Sequence, residues 1–564
     1  MRKSTLRLYL PFLALIAAQA LLVALLPSNA GKTDQVAATA GLSNGQAAAS
    51  GDAAAATDGA TGATDAATGA DGGAAGAVNN AAGSTKSTVT AAASTAHCKG
   101  NKQFAILSNA NPPCVPKSGG KNAGATYQGV TDKKIKIVFF SSVPNEQVDA
   151  ILGTQGLAVP YDESVAYDNL ALDFVEKHYE LYGRTFDRNF YIGNCPTTPP
   201  DYQTCNAEAK AVIEKYHPFL IIWGTPLYGS VFDIWSNSKV VSFGGWQFDD
   251  SLFNNRRPYR YDPWMNGTEV GKHLAEYYCK KMAKGNADHS GAVIHATIGG
   301  RGNVPRKLGI ITPGIEANTL AANRVIAAVR ACGGNVTGTP YTYESNINTA
   351  PQQTQATVQK LIADKVTTVA CMCDPIAPAF LTKGMTSNTF FPEFLLTGTQ
   401  FLDADLVGRL YDQGQMKHAF GISTIPQQVP LDQADSARVW QDMGKSGHPC
   451  EKNGCGINWS YVQMLGTAIQ MAGPKLDPLT LEKGMLTMPS DGGWIVAHKP
   501  DVGFWMLGAN DYTWLSDVRE VYWSSTAISP VDNSSGAYVG VNGGQRYKLG
   551  QWGPGLNQIP VEPN

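Results

Sequence analysis

Between Arg306 and Gly334 the chain reads RKLGIITPGIEANTLAANRVIAAVRACGG, and the spacing of its apolar positions changes once. Leu308, Ile310 and Ile311 form a short run of strand length, stopped by Pro313 and Gly314. Beyond the break, Ala321, Val325, Ala328, Val329 and Cys332 recur at steps of three and four, the apolar stripe of an amphipathic helix. Gly333 and Gly334 then supply the left-handed end that a helix favours. Strand, loop and helix in this order form the repeating unit of a parallel sheet covered by helices. Ligands of such sheets sit at the carboxyl ends of the strands, which draws attention to the loop from Thr312 to Asn318.

The same rhythm occurs twice. In the first run, Ile135 to Phe140 is a strand, and Val165, Leu170, Phe174, Val175, His178 and Leu181 mark a helix. Phe190 to Ile192 is a strand, a helix passes through Ala207, Ala211, Val212 and Tyr216, and Phe219 to Trp223 and Val240 to Phe243 are strands. His178 sits within a helical stripe and reads as a packing residue. A helix from about Thr268 to Met282 opens the second run. Strand 307–311 and helix 319–332 are followed by strand Tyr341 to Tyr343, helix 352–364 and strand Val366 to Cys371. Helix 376–386 and strand Phe394 to Thr397 complete it, and helices follow at Ala434 to Met443 and Asn458 to Ala472. The pattern predicts two similar α/β lobes with parallel sheets, then an aromatic-alternating tail from Val502.

Composition changes the picture mainly at the amino terminus. Arg2, Lys3 and Arg7 precede an apolar run from Leu8 to Leu26, and Ser28-Asn29-Ala30 offers a cleavage site. Residues 1–30 therefore read as an export signal, either cleaved or kept as a membrane anchor. From Gly31 to about Ala96 large apolar side chains are nearly missing, which predicts a disordered tether with a reach of about 40–50 Å. The formal net charge of −2 and the absence of a clustered basic face argue against a nucleic-acid partner. Ten cysteines in an exported chain suggest a disulfide framework. Paired CxxC or HExxH motifs are missing, so neither a metal nor another cofactor is expected.

Two loops carry candidate chemistry. Trp223-Gly224-Thr225-Pro226-Leu227-Tyr228-Gly229-Ser230 follows a buried strand and opens a helix, so its backbone N–H groups suit an anion or simply make a capped turn. Asp374, between Cys373 and Pro375, is a helix cap or a carboxylate placed to receive an ammonium. Trp223, Tyr228, Trp246 and Phe248 cluster at strand ends and could line an apolar wall. The phosphate-loop and nucleophile-elbow patterns are missing, and GGRG at 299–302 lacks the spacing of a dinucleotide fingerprint.

With these elements in order, the chain resembles the type I periplasmic-binding-protein family, specifically the branched-chain amino-acid (Leu/Ile/Val-type) substrate-binding proteins of ABC transporters. The stretches that carry the resemblance are GVTDKKIKIVFFSS (129–142), the WGTPLYG loop, GTEVGKHLAEYY (267–278), the 306–329 unit and TVQKLIADKVTTVACMCDP (357–375), and it covers about residues 129–550. It implies two Rossmann-like lobes joined by three crossovers with a ligand between them. It also implies that the Gly224–Gly229 loop holds a ligand carboxylate and that Asp374 holds an ammonium. Thr225-Pro226 replaces the family's run of small hydroxyl residues, and the Thr312–Ala317 loop lacks its aspartate and tyrosine.

The resulting expectation is a signal or anchor (1–30), a tether (31–97), a Cys-bounded lead-in (98–128), lobe 1 (129–262 and 424–505), lobe 2 (263–423 and 506–550) and a tail (551–564). Expected ligand contacts are Ser141, Ser142, Trp223, Gly224, Thr225, Leu227, Tyr228, Trp246, Pro313 and Asp374. Cys98 with Cys114, Cys195 with Cys205, and Cys450 with Cys455 bracket short segments and are expected to bond. In the lobe arrangement Cys279 and Cys332 could also meet, while a bridge between Cys371 and Cys373 would be strained. The function implied is extracytoplasmic capture of a small ligand, an amino acid or a related compound, in the interlobe cleft for an ABC permease, without enzymatic turnover. A ligand-sensing receptor of the same fold and a cleft hydrolase are the alternatives.

Overall fold

The computed structural model describes residues 95–564 apart from 109–110, 197, 224–228, 246–248, 451–452, 489–510, 557–558 and 560–564. The export signal and the tether up to residue 94 lie outside the described residues, as does the first part of the aromatic tail. Among the described residues no helix is long and apolar enough to cross a membrane.

Five parallel strands make the first sheet: β1 (Lys134–Ser142), β2 (Thr185–Gly193), β3 (Leu220–Trp223), β4 (Val241–Phe243) and β5 (Arg260–Tyr261), in the order β2-β1-β3-β4-β5. Helices α1 (Glu146–Gly153), α2 (Tyr161–His178), α3 (Tyr202–Tyr216) and α4 (Gly229–Asn237) connect them. Helix α5 (Gly267–Tyr277) runs into a single π-turn, Tyr278–Met282, where the sequence pattern implied one uniform helix. A small antiparallel pair follows, β6 (Val293–His295) with β7 (Gly299–Gly300), so the first two residues of GGRG form one arm of a hairpin.

The second sheet repeats the plan of the first. Strands β8 (Leu308–Pro313), β9 (Tyr341–Tyr343), β10 (Thr368–Cys371), β11 (Glu393–Leu396) and β12 (Ala419–Ser423) are parallel and lie in the order β9-β8-β10-β11-β12. Helices α6 (Glu316–Ala331), α7 (Ala350–Ala363) and α8 (Ala377–Ser387) link them. Ala321, Val325 and Val329 of α6 are buried as their spacing predicts, whereas Ala328 and Cys332 of the same stripe are exposed. The helix ends by a Schellman pattern: Gly333, at φ 79°, donates its N–H to Arg330 and Gly334 donates to Val329.

The chain then returns to the first sheet through α9 (Asp435–Asp442), α10 (Gly456–Ala472) and α11 (Pro478–Leu486). Val439, Trp459, Leu465 and Met485 from these helices share one core with Phe174 and Val175 of α2. Strands β13 (Val518–Ile528), β14 (Ser535–Gly540) and β15 (Arg546–Tyr547) finally extend the second sheet antiparallel. The chain therefore crosses between the sheets three times, as expected. The first and third crossings run side by side: the Asp262 N–H donates to Tyr512 and the Trp514 N–H donates to Asp262.

Five disulfides join Cys98–Cys114, Cys195–Cys205, Cys279–Cys332, Cys371–Cys373 and Cys450–Cys455. The sequence reading made the Cys371–Cys373 bridge unfavourable. At the end of β10 the two Cα atoms lie 5.1 Å apart, within ordinary disulfide range. His97 lies near Cys98 and Cys114, but those sulfurs are bonded to each other and are not available to a metal.

The amino ends of the second sheet are joined by a buried ion pair. Arg306 Nε and Nη2 donate to the two oxygens of Glu393 at 2.8 and 2.9 Å. Thr368 Oγ1 and the His289 N–H complete the carboxylate's partners at 2.7 and 3.1 Å. Burial pushes the Glu393 pKa up, but hydrogen bonding from His289 and the Arg306 charge outweigh it and hold the carboxyl below its usual value.

Removing one member of such a pair leaves the other charged and dry, so Glu393→Ala should cost about 3–5 kcal/mol, measured by urea denaturation. Because Glu393 is held low, the pair's contribution is complete above the ordinary pKa of 4.5 and is lost as pH falls through the depressed value. The stability gap between wild type and Glu393→Ala should therefore narrow in acid. A gap that stays constant into acid would contradict this.

Candidate functional site

Each sheet has its topological switch point between its first and third strands, where connections leave in opposite directions. In the second sheet that point lies between β8 and β10. A cavity of about 240 Å³ opens there. Ile311 and Pro313 at the end of β8, Cys371 at the end of β10, and Tyr343 at the end of β9 form its floor. Val148 and Leu152 of α1 and Thr198 beyond β2 line it from the first lobe. The two lobes also touch directly here, since the Ile347 N–H donates to Thr198 Oγ1 at 3.0 Å.

Asp374 is the anionic group at this floor. Its Oδ1 accepts the N–H groups of Ile376 and Ala377 at 2.9 and 3.0 Å, and its Oδ2 accepts the Tyr343 hydroxyl. The capping half of the sequence reading is thus present, displaced by two residues: Asp374 and Pro375 make an Asx-type turn before α8 begins. Burial, and then the Asp374 charge, push the Tyr343 hydroxyl well above its ordinary pKa, so it remains a donor. No ion pair to Asp374 occurs among the described residues. A two-electron-pair carboxylate oxygen with one donor retains room for another.

A second cavity of about 510 Å³ adjoins the first and shares Leu152, Pro375 and Gln400 with it. Its far walls are the second crossing, from Ile425 to Val429, and the start of α10 at Gly456 to Ser460. Trp264 and Phe401 meet edge to face on one side with centroids 4.6 Å apart. Gln400 and Phe401 both hold positive φ, 44° and 61°, a conformation costing about 1–3 kcal/mol per non-glycine residue. Among the described residues lining the two cavities there is no Lys, Arg or His; the ionisable carboxylates are Glu344, Asp374 and Asp435.

Of the ten expected contacts, Pro313 and Asp374 come together in the first cavity. Ser141 and Ser142 end β1 but line neither cavity, and Ser142 Oγ is buried without a hydrogen-bond partner. Trp223 ends β3, where its backbone pairs with Phe140. Gly224, Thr225, Leu227, Tyr228 and Trp246 lie outside the described residues. His178 is not part of the cleft: it bonds Asp442 at 2.6 Å and packs on Phe104 and Phe174. Sequence reasoning did not find Tyr343, Gln400 or the second cavity. Tyr343 alone had a usable signal, as the last residue of a predicted strand.

No family model and no curated protein matches the sequence. Solved structures match the fold. An ABC-transporter substrate-binding protein from Aeropyrum pernix is 13% identical with a TM-score of 0.51, covering 74% of this chain and 97% of its own. A possible leucine/isoleucine/valine-binding protein from Rhodopirellula baltica SH 1 is also 13% identical, with a TM-score of 0.50, covering 72% and 96%. The likeness to Leu/Ile/Val-type substrate-binding proteins drawn from the sequence thus holds as a likeness of fold: two lobes of the type I periplasmic-binding-protein kind.

The turn at Asp374 has a direct test. Asp374→Ala removes the acceptor for two backbone N–H groups and for the Tyr343 hydroxyl proton, for a loss of about 2 kcal/mol in urea denaturation. Asp374→Asn keeps an oxygen for the turn and a polar group for Tyr343, and should stay within about 0.5 kcal/mol of wild type. Equal losses in the two variants would contradict the assignment.

Proposed function

We propose that the chain is an extracytoplasmic solute-binding protein that captures a small ligand between its lobes and delivers it to an ABC-type permease. The observation that supports this reading best is the cavity at the second sheet's switch point, whose walls come from both lobes. The lobes proposed are 129–262 with 424–505 and 263–423 with 506–550, and hinge motion at the three crossings would open and close them. A ligand that contacts both walls binds the closed arrangement better and shifts the population toward it. The relatives of known structure described above carry names of substrate-binding proteins, which favours the same role here.

The five disulfides and the amino-terminal apolar run favour an oxidising compartment outside the cytoplasm, with the tether reaching from a membrane anchor if the signal is kept. Capture is favoured over turnover because the described cavity linings hold no histidine, lysine or free thiol to act as base or nucleophile. For the ligand we take Asp374 as the group that meets a cationic end, joined by Pro313 on the same floor. Ser141, Ser142 and the 223–229 and 246 positions belong to the proposed facing side.

The reading is tested by mass spectrometry of small molecules released from the denatured, purified protein, followed by small-angle scattering on adding the molecule back. A released ligand that shrinks the radius of gyration is the expected result; a protein that carries and closes on nothing small is not a solute-binding protein. If the ligand bears an ammonium, Asp374→Asn should weaken its binding roughly 10- to 150-fold, since a hydrogen bond to a charged group contributes about 1.5–3 kcal/mol. Calorimetric titration with unchanged affinity would remove Asp374 from the site.

A further inference from the structure

We infer that the ligand is elongated and amphiphilic, with a non-anionic head in the cavity beside Asp374 and an apolar tail in the adjoining cavity beneath the second crossing. The inference rests on the solute-binding reading and names its ligand class. Three observations carry it. The two cavities are neighbours, sharing Leu152, Pro375 and Gln400, and the second, at about 510 Å³, is roughly twice the first, at about 240 Å³. A ligand confined to the first would leave the larger space beside it unfilled by protein, and voids forgo the dispersion contacts that stabilise a closed state.

The second observation is chemical. Leu157, Val159, Val429 and Phe401 face this space, and no described residue of either wall is basic. A carboxylate or phosphate head in the first cavity would be desolvated beside Glu344 and Asp374 with no cation among the described lining residues to pair it, which disfavours an anionic amphiphile. The third is conformational. The turn between the cavities, Gln400–Phe401, is held in two successive left-handed residues. Such strain persists where surrounding structure over-determines it and clusters at ligand clamps. Here it turns the Phe401 ring onto Trp264, leaving Gln400 on the border between the two spaces.

The tail would also touch the hinge. Ile425 to Val429 is the chain's second crossing, so apolar contact there is contact with the segment that must bend when the lobes close. Chain length and closure are thereby coupled.

The test uses the full-length protein, stripped of bound small molecules, and calorimetric titration with n-alkylamines from butylamine to dodecylamine. Alkanoic acids of matched length serve as the anionic comparison. Affinity for the amines should rise about fourfold per methylene across the members that enter the second cavity, then level off. Acids of the same length should bind at least tenfold more weakly. Val429→Trp, which fills the second cavity from the crossing, should weaken the long amines far more than butylamine and so abolish the rise of affinity with chain length. Val159→Trp fills it from the first lobe and guards against a variant that fails to fold. Affinity independent of chain length overturns the inference, as do acids binding as well as amines. So does an equal loss of short and long amines in both folded variants. If the molecule released from the protein closes the lobes but is as short as a free amino acid, the inference fails and the solute-binding reading stands. If neither amines nor released molecules of any length bind, both fail.

Discussion

Every residue of β8, β10, β11 and β12 is buried, and this constraint organises the molecule. Strands with no solvent face must be covered by helices on both sides, so the sheet can present chemistry only at its two ends. The amino ends are closed off by charge: Arg306, Glu393 and Thr368 stand at or just before the starts of β8, β11 and β10 and satisfy one another. The carboxyl ends are where the backbone leaves the ladder unevenly and a cavity opens. The charged network and the cavity therefore sit at opposite ends of the same strands.

The cleft itself is built by economy of polar groups. Asp374 organises the start of α8, holds the Tyr343 hydroxyl and still contributes a net negative charge to the cavity floor. Among the described residues the lobes meet there through a backbone-to-hydroxyl bond, Ile347 to Thr198, and Arg324 of α6 pairs with Asp249 and Asp250 after β4. A wall of that kind discriminates by shape and by the sign of charge more than by a dense hydrogen-bond code.

The tandem α/β plan was legible because each buried strand is a continuous apolar run and each covering helix has a clean three-and-four stripe. Tyr341 to Tyr343 coincides with β9, and the 321–332 stripe falls on α6 within a residue of its end. Elements with weaker periods were missed: α1, whose eight residues bury none completely, and the short pair β6–β7. The meeting of Tyr343 with Asp374 depends on strand order, which periodicity does not encode. The second cavity depends on which surfaces three distant segments turn toward one another. Asp374 was readable as a cap because an Asx residue before proline has a local mechanism. In the structure Pro375 and Ile376 intervene between this residue and the first residue of α8.

The order of elements along the chain also governs how the molecule can be assembled. The second sheet from β8 to β12 is contiguous, so its parallel strands need only their own intervening helices. The first sheet is contiguous too, but its covering helices are not: Asn458 of α10 bonds Asp168 of α2 across 290 residues. As synthesis proceeds from the amino terminus, α2 emerges with Phe174 and Val175 exposed until α10 has been made. The lobe that begins first thus waits for helices made only after strands β8 to β12 of its neighbour. Its slow, long-range closure is the step at which the nascent chain presents the most apolar surface.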